Sequence, residues 1–413
     1  MLADLRTVRF YRAMRERTMR ALSFFVFLVV LGIPSVARAY PWMIRHDYTV
    51  CATCHTDPSG GNLLTTYGRS LSQTLLSSEL LANHDEEPGK FKDFAFGLVP
   101  LPESLQVGAF LRQGYIANYQ NDQKLDSRVL KMRADVEAQA QFGNFRFDGA
   151  IGVLPSESGR SAREAWVTKP APDGIAVVAR TYWAAYEMQD GDALARLGRM
   201  NLPFGLRNVE HASWVRAETR TDINQHQQHG ASYYWTNGSY RAEAMAVGGN
   251  FQMHPDAFRE RGIVAYLERR ISGRQALALQ AFALRSSSDG FFLTGGSLFR
   301  QAYGAFYRVV PHAKLAVLAE GNVLVNRFQT SGTTLGHVAF VQADYEPFAG
   351  LHVMGTVEEV KSPVPASAQG TGAWLSSVYF PVPHVELRFD GIWRKFADQS
   401  PVTTFLIQGQ LYL

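Results

Sequence analysis

The chain has 413 residues, 41 of them basic and 37 acidic, with two cysteines and 46% hydrophobic residues. Seven basic and two acidic residues fall within the first 39, which leaves 34 basic against 35 acidic in the other 374. The pI near 9.0 therefore belongs to the N-terminus, nothing favours nucleic acid as a partner, and a body long enough for one large domain has to hold together without a disulfide framework.

Arg6, Arg9, Arg12, Arg15, Arg17 and Arg20 precede an apolar run from Ala21 to Ile33, and Ala37-Arg38-Ala39 forms an A-x-A cleavage pattern before Tyr40. Residues 1–39 are predicted to be a bacterial-type secretory signal peptide. The run of 13 residues is too short for a membrane-spanning helix, and no later stretch reaches the roughly 18 that one needs.

Cys51-Ala52-Thr53-Cys54-His55 follows, with the C-x-x-C-H spacing at which two thiols take up haem vinyl groups and the next residue ligates the iron. One covalent haem c is the expected cofactor, bound by Cys51 and Cys54, with His55 as proximal iron ligand. A thioredoxin-like motif would need a βαβ context, a zinc site two more ligands, and a disulfide an unusually tight loop. No Met occurs between His55 and Met132, so the candidates for a sixth ligand are His46, Met43, His84, a residue of the later chain, or none. His46 is the preferred distal ligand because the segment is short and imidazole is a common iron ligand. His84, in Asn83-His84-Asp85-Glu86-Glu87, reads as a solvated side chain. Gly60-Gly61 permits close approach of backbone to a porphyrin or makes a simple turn, and Arg69 suits a propionate or a surface carboxylate.

Beyond about Pro100 no long helical period is found. From Leu130 to Phe142, apolar residues alternate without a break with Lys131, Arg133, Asp135, Glu137, Gln139 and Gln141. A strand this long with one charged face suits a tilted membrane strand between lipid and a wet lumen. Gly143-Asn144 turns it into a second strand over Phe145 to Val153. Asn237-Gly238 joins Tyr233–Thr236 to Ser239–Val247 with the dipeptide favoured in type I′ turns. Further strands are predicted at 105–119, 175–187, 193–200, 263–270, 275–285, 297–309, 314–326, 335–345, 351–360, 372–380, 385–396 and 403–413. At roughly 20 residues per strand and connection, the expected fold is an all-β transmembrane antiparallel barrel of about 16 strands, within a range of 14–18. The domains are then the signal peptide (1–39), a haem-binding segment acting as plug or cap (40–103) and an outer-membrane barrel (104–413).

Tyr182-Trp183, Tyr233-Tyr234-Trp235, Trp374, Tyr379-Phe380, Trp393 and Phe396 fall toward strand ends, where interfacial girdles sit. The chain ends in Leu411-Tyr412-Leu413 rather than the more usual terminal Phe. Between Leu206 and Ala231 the alternation stops, and Glu210-His211 with His226-Gln227-Gln228-His229 could bind a metal or belong to a polar extracellular or inward-folded loop. No G-x-S-x-G, H-E-x-x-H or P-loop supports a hydrolase or NTPase.

Two segments resemble known families. Tyr40-Pro41-Trp42-Met43 through Cys51-Ala52-Thr53-Cys54-His55, with Asp57-Pro58-Ser59-Gly60-Gly61, Leu63-Leu64 and Tyr67-Gly68-Arg69, is similar to the mono-haem N-terminus of fused cytochrome–porins of bacterial outer membranes. Gly198-Arg199-Met200-Asn201-Leu202-Pro203-Phe204-Gly205 resembles a strand and turn of phosphate-selective-type porins. The resemblance implies an outer-membrane electron carrier, as in the iron-oxidising members, working between a periplasmic electron carrier and an extracellular redox donor or acceptor, with outer-membrane lipid around it. Ile44-Arg45-His46-Asp47-Tyr48-Thr49-Val50 departs from the iron oxidisers, which leaves the donor open. Two other functions stand beside this one: a solute porin whose haem segment is a plug or sensor, and an oxidoreductase working at an open haem iron.

Overall fold

A computed structural model describes residues 41–46, 48–61, 63–78, 93–155, 163–171, 174–207, 212–223, 226–253, 259–287 and 296–413. The predicted signal peptide, His84, Glu210 and His211 lie outside the described residues.

From Leu105 to Tyr412 the chain forms sixteen antiparallel strands, each bonded to its chain neighbours, and the first closes on the last. They are β1 (Leu105–Gln120), β2 (Gln123–Phe142), β3 (Phe145–Pro155), β4 (Ile175–Met188), β5 (Ala193–Met200), β6 (Gln228–Thr236), β7 (Tyr240–Gly249) and β8 (Arg261–Ser272). The second half comprises β9 (Gln275–Ser286), β10 (Leu298–His312), β11 (Leu315–Phe328), β12 (Gly332–Phe348), β13 (Leu351–Lys361), β14 (Gln369–Tyr379), β15 (Val385–Phe396) and β16 (Val402–Tyr412). Closure leaves no strand edge without a partner, which is the condition for a sheet to cross lipid.

The alternation in the sequence is an alternation of environments. Val136, Leu279 and Leu375 project outward at 52%, 65% and 61% exposure, while their neighbours Glu137, Gln280 and Ser376 point into the lumen and are buried. Two strands begin five or more residues earlier than predicted, and β8, β12, β14 and β16 one to three residues earlier. β2 starts at Gln123, because the tip of the β1–β2 hairpin is exposed on both faces and no one-sided burial imposes a period there. β6 starts at Gln228, since polar Gln228 and His229 open a strand that alternation alone does not mark.

The aromatic girdle is smaller than expected. Tyr182, Tyr233 and Trp393 face outward, but Trp183, Tyr234, Trp374 and Phe380 are buried. Successive strand residues take opposite faces, so only one member of each adjacent aromatic pair can reach lipid.

The two ends of the barrel differ. At one, Gly143-Asn144, Gly273-Arg274, Ala313-Lys314 and Ala349-Gly350 make tight turns, and β1 begins and β16 ends there. Gly350 has φ +81°, and a Cβ on it would lie 2.7 Å from the Ser78 nitrogen, so the N-terminal segment reaches this turn. At the other end lie the long connections 156–174, 201–227, 250–260 and 287–297.

Residues 41–78 are packed inside the barrel. They form a 3₁₀ turn (Pro41–His46), another at Cys51–Thr53, helix α1 (Thr66–Leu71) capped by the Thr65 hydroxyl on the Gly68 N–H, and a π turn (Ser72–Leu76). The described residues of the connection 201–227 also lie inside and include helix α2 (Trp214–Thr219). Trp42 and Ile44 from the first, and Leu202, Phe204, Leu206, Trp214 and Val215 from the second, share one buried cluster with luminal wall residues such as Met245, Phe282, Phe306 and Phe340. The hydrophobic core of this molecule is the content of its lumen.

Candidate functional site

The N-terminal segment is held by the wall at points spread around the barrel. Arg45 pairs with Asp344 and donates to the Lys314 carbonyl at 3.0 Å, with Glu346 at 3.7 Å. His352 bonds Asp344 at 3.1 Å, and its ring lies 3.9 Å from that of Trp42. Arg196 binds Asp57 at 2.8 Å and also Glu243, the Thr56 hydroxyl donates to Asp148 at 3.1 Å, and Arg308 donates to the Thr49 carbonyl at 3.0 Å. The Ser78 N–H donates to the Phe380 carbonyl at 2.8 Å. Arg45, Asp344, Arg196, Asp57 and Glu243 are buried ions among these groups, and each is stable there because its partners are fixed in place.

The first cysteine begins a tight turn. The Cys54 and His55 N–H groups both donate to the Cys51 carbonyl, at 3.1 and 3.0 Å, so residues 51, 54 and 55, three and four apart, come to one side. The Cys54 carbonyl accepts from the Thr65 N–H at 3.0 Å, and a Cβ on Gly68 would come within 2.3 Å of that carbonyl oxygen, so only glycine lets α1 close on the motif. Cys51, Cys54 and His55 all line one luminal cavity with about 1580 Å³ of space between atoms, its open mouth included.

Three parts of the chain close this cavity: the N-terminal segment, strands β1, β2, β7, β10 and β16 of the wall, and Leu206, Arg207 and Ile223 of the inward connection. Its surface is largely apolar, with Leu63, Leu71, Phe110 and Phe306 among the lining. Among the described residues that line it, the charged side chains are Arg69, Arg112, Arg133, Arg207, Arg241 and Arg308 against Glu137. Glu268, behind the surface, is shared by Arg241 and Arg308. Arg207 donates to the Leu202 carbonyl through Nη1, while its Nη2 is buried with no hydrogen-bond partner. A buried cation of this kind calls for an anionic partner. The cavity therefore suits an amphipathic ligand that is largely apolar and carries negative charge.

The thiols are not arranged for redox exchange. They are unbridged, and burial, reinforced by Cys51, pushes the Cys54 thiol up to about 12, whereas exchange-active cysteines have lowered values. Arg241 donates to the Cys51 sulfur at 2.9 Å.

Of the other predicted positions, Met43 lines the cavity, whereas His46, at the end of its 3₁₀ turn, is not part of the lining. Gly60 and Gly61, both at positive φ, lie in the wall, where a Cβ on Gly60 would sit 3.3 Å from the Cys51 sulfur. Arg69 is buried there too, its charge disfavoured by desolvation and supported by Asp93, and it donates to the Val107 carbonyl. The two described histidines of the 201–231 stretch do not converge on a metal. His226 Nδ1 accepts from the Asp222 N–H at 3.3 Å, while His229 bonds the Tyr182 hydroxyl at 2.7 Å, and no metal-holding group of His, Cys, Asp and Glu occurs among the described residues. The arginines of the wall escaped sequence reading, since each is one more polar residue of an alternating strand. Only the fold brings β1, β2, β7 and β10 around one space.

No protein-family model matches the sequence, and no curated protein matches it. Solved structures do match by fold. OmpT of Vibrio cholerae superposes with a TM-score of 0.54 at 11% identity, over 76% of this chain and 100% of that one. The outer membrane channel DcaP of Acinetobacter baumannii gives 0.52 at 11%, over 75% and 97%. An anion-selective porin from Comamonas acidovorans gives 0.54 at 12%, over 75% and 99%. The chain is thus a porin-like β-barrel of the bacterial outer membrane. In barrels of this kind the short turns face the periplasm and the longer loops the outside.

Proposed function

We propose that this barrel is an electron-transfer protein, with one haem c covalently held inside its lumen. The observation that carries the reading is that Cys51, Cys54 and His55 line a single luminal cavity of suitable chemistry. Cys51 and Cys54 would form the two thioethers, His55 the proximal bond to iron, and Met43 the sixth, in place of His46, which does not line the cavity. Arg69, Arg112 and Arg133 offer cationic partners for propionates. Bound there, the haem supplies one-electron redox chemistry.

The lumen favours electrons over solutes as cargo. Barrels of this strand number usually enclose an aqueous channel. Here luminal side chains around the ring, such as Glu243, Glu268, Asp344 and Asp390, are buried to within 2% of full burial. Thr53 of the motif is exposed, which gives a periplasmic electron carrier a place to approach, and an extracellular donor or acceptor would work from the far end. The second reading, a solute porin with the N-terminal segment as plug or sensor, is favoured by the porin neighbours, one of them an anion-selective porin.

Expression in a host with haem-maturation machinery separates the two. The expected result is a band that stains for haem after denaturing electrophoresis and is lost in the Cys51→Ala, Cys54→Ala double variant, a six-coordinate spectrum altered by Met43→Ala, and little ion conductance in planar bilayers. An unstained wild type with steady anion conductance would leave the porin reading alone.

A further inference from the structure

On the outward face of the barrel at its extracellular end, Arg261 on β8 stands directly across from Arg285 on β9. Arg285 stands across from Phe299 on β10, and Phe299 across from Arg327 on β11. With strands about 4.8 Å apart, the three arginines occupy one row of roughly 14 Å. All three are exposed, and the Arg327 guanidinium carbon lies 5.9 Å from the centre of the Phe299 ring. Like charges directly opposite one another destabilise a sheet. Among the described residues no carboxylate relieves them: Glu260, next in sequence to Arg261, is buried and held by Arg300 and Arg220.

The rows beneath are made for lipid. The next row on the same face is Ile263, Ala283, Gln301 and Val325, and the one after it Ala265, Ala281, Tyr303 and Val323. The arginine row therefore caps the apolar band, at the level of the outer-leaflet headgroups. On β12 the arginine row continues as Thr333, and His337, which pairs with Glu359, stands two rows below it, across from Val323.

We propose that Arg261, Arg285 and Arg327 form a binding site for the phosphates of an outer-leaflet glycolipid, the lipid A moiety of lipopolysaccharide. Guanidinium groups bind phosphate oxygens two at a time, which suits three of them in a row to a lipid with two phosphates. Phe299 and the apolar rows below give its acyl chains a surface, which a free phosphate would not use. The site is independent of the haem.

Native mass spectrometry of the delipidated protein in detergent, with bisphosphorylated lipid A, its dephosphorylated form or inorganic phosphate added, tests it. The expected result is retention of the bisphosphorylated lipid, weakened at least tenfold in the Arg261→Gln, Arg285→Gln, Arg327→Gln triple variant and little changed in Lys395→Gln. If the triple variant fails to fold, Arg285→Gln alone, at the centre of the row, is expected to weaken retention severalfold. Equal retention of the two lipid forms, equal retention by wild type and variant, or displacement of the lipid by equimolar phosphate overturns the proposal.

Discussion

The outward and luminal faces of the same strands follow opposite rules. Outside, apolar side chains meet lipid one row at a time, and each contributes by what it does not expose. Inside, Arg133, Asp135, Glu137 and Arg180 on β2 and β4, or Arg241, Glu268 and Arg308 on β7, β8 and β10, form ion-paired networks that reach across strands, the second of them also to Thr49 and Cys51 of the N-terminal segment. The outer face tolerates exchange of one apolar residue for another and rejects charge, while the lumen depends on which charges meet. A buried ion pair adds little over an apolar pair of the same shape, yet removing one partner costs several kcal/mol.

The largest expected effect follows from that asymmetry. Arg45→Met leaves Asp344 and Glu346 buried without the guanidinium they share, and the docking of the N-terminal segment is expected to weaken by about 3–5 kcal/mol. Trypsin sensitivity of residues 41–78, with the barrel itself intact, together with a rise in ion conductance, measures it. An unchanged digestion pattern would mean that the remaining contacts hold the segment without this pair.

The outer face supplies the next. Val136→Arg puts a charge among the lipid-facing residues of β2, where the cost is about 2–4 kcal/mol near the bilayer midplane. Heat-modifiable gel mobility, compared with Val136→Leu, reports the loss. Equal stability of the two variants would mean that this face does not meet lipid.

The difference between the faces also explains what could be read from the chain. Lipid imposes a period of two and nothing else, so sixteen strands and the turns at Gly143-Asn144 and Asn237-Gly238 could be read from the sequence, although the second is a three-residue connection, 237–239, and not the expected two-residue type I′ turn. The three residues of the C-x-x-C-H motif were visible as well, because that motif is local. The luminal partners were not. Arg196, which joins Asp57 to Glu243, has no sequence signal that separates it from Arg128, exposed on β2. Nor does spacing show that Met43 lines the cavity while His46, three residues later, does not. Which polar residues face one another across a barrel is a property of closure, and closure relates strands hundreds of residues apart, as β1 to β16.

The smallest effect concerns the inward connection and sharpens the contrast, since it gives the lumen a dependence on pH that the apolar outer face lacks. Burial holds His226 down to about 4 from an ordinary value of 6.5, with Asp222 and Glu260 opposing the shift and Arg220 and Arg300 adding to it. Its Nδ1 accepts the Asp222 N–H, so protonation both places a charge in a desolvated site and removes that acceptor. With a folded value below the unfolded one, the unfolded connection binds the proton more readily. The stabilisation is complete above about pH 6.5 and is lost as pH falls toward about 4. Hydrogen exchange in α2, corrected for its intrinsic pH dependence, is expected to quicken across that window in the wild type and to stay level in His226→Gln, while β9 and β11 show no change in either. Parallel acceleration in the variant would move the pH response to another group of the connection.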